Sequence, residues 1–231
     1  MDKKIPQNVM KSFYTVIIVL FLSASVFGQG AFLERGQSGF GIGGGFSTNE
    51  DVTGIGGSVG YSVNGIFDFG IGVESFSFNQ KLLGSDLSAT VISPSITFYA
   101  LKQNDEIPLS FAIGAGYDWQ TYSNDVLDDF NIDMTGGFFS VGGSLFGYFK
   151  ASESFRIQPS VGFTYVTGEV KLEDSNGNEE TEKDDTTVFG LGLGLAFNTS
   201  PKNIFVISPG VGISEGTTSF GIGLSFIFGT N

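Results

Sequence analysis

The sequence predicts an all-β protein: an antiparallel up-and-down transmembrane β-barrel of about ten strands, with eight as the alternative count. Three observations point there. Apolar residues recur with a period of two in segment after segment, which marks strands. The face opposite the apolar one is mostly Gly, Ser and Ala, where a water-soluble sandwich would carry Lys, Glu and Thr. The strands can be counted to an even number, which returns both ends of the chain to the same side of a membrane.

The chain begins with a segment of another kind. Lys3, Lys4 and Lys11 give a basic start, Phe13 to Leu22 an apolar stretch and Ser23 to Gly28 an exit of mainly small residues, the pattern of a cleaved signal peptide over residues 1–28. Cleavage is expected before Gln29. The apolar stretch is ten residues long, about half of what a spanning helix needs. A short N-terminal segment, 29–35, then leads into a single barrel domain, 36–231.

Strands follow in order. The first, 38–48, carries Gly39-Phe40-Gly41-Ile42-Gly43, and the second is 52–63. Asn64-Gly65 makes a tight hairpin turn. In the third, 66–78, the apolar face runs Phe67, Phe69, Ile71, Val73 and then shifts to Phe76 and Phe78, which suggests a bulge. The fourth is 87–101. In the fifth, 107–122, Leu109, Phe111, Ile113, Ala115, Tyr117 and Trp119 oppose Ser110, Ala112, Gly114, Gly116, Asp118 and Gln120. The sixth, 135–150, is apolar on both faces from Phe138 to Phe149, turning Phe146 and Tyr148 into the lumen. After 154–171 comes the clearest strand, 186–199, where Phe189, Leu191, Leu193, Leu195 and Phe197 alternate with small residues. The last two are 203–214 and 217–228. Short connections at 64–65, 102–106, 151–153 and 200–202 alternate with long ones at 79–86, 123–134 and 172–185, as expected of periplasmic turns and external loops. Aromatics at strand ends, such as Phe189 with Phe197 and Phe220 with Phe228, suggest interfacial girdles.

Composition excludes much chemistry. The chain has no His and no Cys, so it has no Ser-His-Asp triad, no Cys nucleophile, no His-ligated zinc site and no lipid-modified cysteine. A non-enzymatic protein without cofactor is expected. The Gly repeats at 41–45 and 190–194 precede no helix and so do not form phosphate loops. Removing residues 1–28 takes away three basic residues and one acidic one, so the net charge falls from −13 to −15, which argues against nucleic acid as a partner. The loops 123–134 and 172–185 are acidic, and weak divalent-cation binding is their second reading after simple solvation. Strand phase turns Asp68, Glu74, Asp118 and Arg156 towards the lumen. Asp68 and Arg156 fall at similar height, so an ion pair plugging the periplasmic end is one reading, a wet rim the other.

The export signal, the repeated Gly-aromatic strands and the terminal strand Ser219-Phe220-Gly221-Ile222-Gly223-Leu224-Ser225-Phe226-Ile227-Phe228 resemble the outer-membrane protein β-barrel domain family. These are the small porin-like barrels that include relatives of outer-membrane proteins A and X. The resemblance covers residues 36–231. It implies a Gram-negative outer membrane, contact with its lipids and lipopolysaccharide, and insertion by the barrel-assembly machinery with Phe228 as assembly signal. Here Gly229-Thr230-Asn231 follow that Phe, a departure from the family's pattern of ending on an aromatic residue. The expected role is structural or surface-exposed, with acidic extracellular loops; a narrow porin or carrier for a small solute is the alternative.

Overall fold

The computed structural model describes residues 28–82 and 84–230; the signal peptide expected at 1–28 lies, but for Gly28, outside the described residues. The elements are β1 (Ser38–Thr48), β2 (Val52–Val63), β3 (Phe67–Leu82), β4 (Ser85–Leu101), β5 (Ser110–Ser123), α1 (Asp125–Asp129), β6 (Ile132–Phe146), β7 (Phe149–Lys150), β8 (Phe155–Asp174), β9 (Glu179–Asn198), β10 (Asn203–Ser214) and β11 (Thr217–Thr230). Consecutive long strands pair antiparallel, and β1 meets β11 from Ser38↔Thr230 to Thr48↔Phe220, which closes a ten-stranded barrel. The two-residue β7 continues the line of β6 along β8 past a break at Gly147 and Tyr148.

The alternation produces this cylinder because successive side chains leave a strand on opposite faces. Small residues meet across the strands on the inside, as in the row Gly43↔Ser58 and Ser58↔Gly72. Ile42, Phe69, Ile71, Ile113, Leu191 and Leu224 stand exposed on the outside. Asn64 and Gly65 both have positive φ, 55° and 60°, the backbone of the tight hairpin turn that matches strand twist. No helix among the described residues is long and apolar enough to cross a membrane, which leaves crossing by strands untouched.

Two expectations change. The register of β3 with both β2 and β4 is unbroken from Phe67 to Phe78, so no bulge follows Val73. Phe76 and Phe78 simply occupy the inward phase shared with Asp68 and Glu74, and the irregularity comes later, between Phe78 and Leu82. The contrast of loop lengths also fails. Opposite the termini, at the distal end, the connections are 49–51, 83–84, 124–131, 175–178 and 215–216; at the terminal end they are 64–66, 102–109, 147–154 and 199–202. Most of the expected loop at 172–185 is strand, since β8 and β9 stay paired to Glu173↔Glu179 while β10 follows β9 only as far as Ile213↔Phe189.

Candidate functional site

The lumen is the candidate site, and both of its ends are filled. At the terminal end the filling is the segment before β1. A short 3-10 turn, Gln29–Ala31, places Ala31, Phe32 and Leu33 inside the mouth of the barrel. They pack there with Tyr99, Ala112, Phe146, Ala196, Ile204, Val206 and Ile227.

Polar side chains on three sides of the wall hold this segment by its backbone. Asp68 of β3, buried, accepts the Gly30 N–H on both carboxylate oxygens at 2.8 and 3.1 Å and the Tyr99 hydroxyl at 2.8 Å. Lys102, in the turn after β4, donates to the carbonyls of Gly30 and Leu33. Arg156 of β8 donates to the Phe32 carbonyl at 3.1 Å and to Asn198 at 3.5 Å. Hydrogen bonds to charged partners contribute about 1.5–3 kcal/mol each. Burial pushes the Lys102 ammonium down to about 8; Arg156 and Arg35 add to the fall, while Asp68 and Glu34 oppose it.

Sterics select this segment as well. Gly41 and Gly60 face one another across β1 and β2, and the Gln29 side chain lies in the space they leave. A Cβ on Gly41 would fall 2.3 Å from Gln29 Cγ, and one on Gly60 2.5 Å from its Nε2. Beside the segment, a cleft of about 310 Å³ opens between Phe32, Arg156, Asn198 and Lys202.

The distal end is filled by apolar side chains. Val52, Phe76, Phe78, Leu87, Tyr122, Met134, Phe138 and Val166 are among a buried cluster, and α1 lowers Leu127 onto it. Asn124 fixes α1 by accepting the Val126 and Leu127 N–H groups, the usual satisfaction of a helix start. Between the two ends the wall is mostly Gly and Ser, and the inward-facing Ser58 and Ser95 remain exposed.

Of the charges read from strand phase, Asp68 and Arg156 are both drawn to the N-terminal segment and do not meet each other. The four ion pairs among the described residues are Lys81–Asp86, Lys171–Glu173, Lys171–Glu179 and Lys183–Glu169, so the Asp68–Arg156 plug is replaced by a plug of backbone held from both sides. Glu74 lies opposite Gly56 and Val91, higher in the lumen. Asp118 is buried opposite Phe138. Phe228 stands on the outer face of β11 opposite Phe40, its ring 4.7 Å from that of Phe226. Phe146 is buried in the terminal-end cluster, whereas Tyr148 lies in the break after β6, its ring 5.9 Å from the Arg156 guanidinium. No group of three or more acidic side chains among the described residues is placed to hold a metal ion. Sequence reasoning missed Gln29, Tyr99 and Lys102; the signal available was a long cationic side chain in a turn beside an inward aspartate.

No protein-family model and no curated protein matches the chain. Among solved structures, the translocator domain of the autotransporter NalP from Neisseria meningitidis is similar, with 10% identity, a TM-score of 0.55 and 96% of each chain covered. The transport unit of the autotransporter AIDA-I from Escherichia coli gives 10% identity and a TM-score of 0.47 over 98% of this chain and 99% of that one. The attachment invasion locus protein Ail of Yersinia pestis gives 15% and 0.44 over 86% and 100%. At such identities the likeness is one of fold, and it rests on the first of the three. With its ten antiparallel strands closed on themselves, an apolar outer surface and this likeness, the chain has the fold of the small bacterial outer-membrane β-barrels.

Proposed function

We propose that the protein is a non-enzymatic barrel of the Gram-negative outer membrane, exported by a cleaved signal peptide, with a structural or surface-presenting role. The observation that carries this reading is the lumen closed at both ends, by residues 29–33 at one and by the Phe76–Phe138 cluster at the other. A blocked cylinder leaves its distal surface as the part free to act, and the acidic β8–β9 hairpin stands highest there. On this reading the termini face the periplasm, lipids and lipopolysaccharide surround the outer wall, Phe228 serves the assembly machinery, and the hairpin acids are solvated or bind divalent cations weakly.

In planar bilayers the purified protein should give no steady single-channel steps. An epitope inserted after Gly177 should be labelled on intact cells, and one inserted after Asp105 only once the outer membrane is permeabilised. Exposure of the Asp105 tag alone would invert the topology. The second reading, a narrow pore or carrier for a small solute, is favoured by the exposed Ser58 and Ser95 inside the wall and by the cleft beside Phe32. Steady conductance would establish it.

A further inference from the structure

We propose that the terminal-end cradle is a binding site for a free peptide N-terminus, occupied by the chain's own processed end, so that the α-ammonium of Gln29 docks against Asp68. This rests on the leader reading for the position of the new end and on the barrel as described for the site.

Asp68 is 5% exposed, and no cation of the described residues lies within ion-pair distance of its carboxylate. Its donors, the Gly30 N–H and the Tyr99 hydroxyl, are uncharged, and Lys102 acts on it only from beyond ion-pair distance. A buried charge in that condition calls for a counter-ion. The chain passes directly over it: a Cβ on Gly28 would fall 2.1 Å from Asp68 Oδ2 and 2.8 Å from the Tyr99 hydroxyl. Hydrolysis of the Gly28–Gln29 bond by the leader-removing peptidase adds water across it, leaving a carboxylate on Gly28 and an amine on Gln29. That amine, protonated at neutral pH, begins one residue before the Gly30 N–H that Asp68 already holds.

The remaining contacts suit a peptide end. Lys102 and Arg156 hold carbonyls of Gly30, Leu33 and Phe32, so most of the grip is on backbone. Identity is read at three places. Gln29 enters the Gly41–Gly60 cradle, the Phe32 ring lies 3.0 Å from where a Gly194 Cβ would be, and a Cβ on Gly30 would fall 2.5 Å from the Tyr99 ring. Ligands of this class are short peptides with a free amine, a small second residue and a tight turn over their first residues.

Protein isolated from outer membranes should begin at Gln29 by mass spectrometry. Its α-amine should be acylated at pH 7.5 at least tenfold more slowly than that of the fresh peptide Gln-Gly-Ala-Phe-Leu-Glu-Arg. Asp68→Asn should restore the peptide's rate while circular dichroism remains that of strands. Should that variant not fold, Gly30→Val, which crowds Tyr99 without altering the wall, is expected to expose the amine equally. A different first residue, peptide-like reactivity of the unaltered protein, or protection surviving in the folded variants would overturn the assignment. Localisation and tag exposure are read on the unaltered protein and do not depend on the state of its amine, so failure here and failure of the barrel's proposed role are told apart.

Discussion

Lys102 shows how one residue at the mouth couples the plug to pH. Its folded ammonium loses its proton near 8 where the free side chain does so near 10.5, so between these values the unfolded chain binds more protons and stability rises with pH. Below pH 8 the full cost of keeping it charged and buried is present; it is relieved as pH climbs towards 10.5. Urea unfolding in lipid vesicles should therefore show a rise across this window that Lys102→Met lacks. Phe138 and Phe139 divide the two surfaces of β6, the first fully buried in the lumen and the second on the outer wall. Phe138→Ala should cost about 3–5 kcal/mol through the cavity it leaves, whereas Phe139→Leu, similar in volume and turned outward, should stay within about 1.5 kcal/mol; the same unfolding assay checks both. The inward phase of Asp68 and Arg156 was readable from alternation alone. Their partner was not, because residues 28–33 have no period, and a contact spanning 38 residues for Gly30 and Asp68, or 124 for Phe32 and Arg156, leaves no local trace.

At the scale of the strand, β9 carries the clearest division of faces. Leu191 is outward and exposed, while Gly190 has no described atom within 4 Å of its missing Cβ. Leu191→Arg should destabilise by about 2–4 kcal/mol in a bilayer if it sits near the midplane, and Gly190→Ser should stay within about 1 kcal/mol. Equal tolerance in vesicles would contradict the outward face. The bounds of β1, β2 and β10 coincide with those read from the sequence, because their apolar alternation runs to the hairpin turns. Those of β8 and β9 do not. Beyond Val170 both strands become charged, and pairing persists through the backbone ladder, helped by Lys171 reaching Glu173 at 3.2 Å and Glu179 at 2.6 Å. Such exposed pairs add little stability of their own, so polarity patterns mark where the apolar wall ends and not where the sheet ends. The same blindness made Phe76 and Phe78 look like a bulge: alternation cannot tell an apolar lumen from an apolar outer wall.

For the molecule as a whole, the ten-strand count and the closure survive because a barrel needs only consistent phase in every strand, which Gly, Ser and outward apolar residues supply. The stopper adds a constraint of a different kind. Its holders come from β3, from the turn after β4, and from β8, and the closed cylinder sets them around one opening. Contacts so distant in sequence form late. In a refolding time course, amide protection at residues 29–33 should therefore lag behind the strand signal, and simultaneous appearance would refute it. On that order the segment would be a seal applied at completion: a cylinder with a missing seam or a slipped register offers it no complete seat, and its N-terminal end would stay loose.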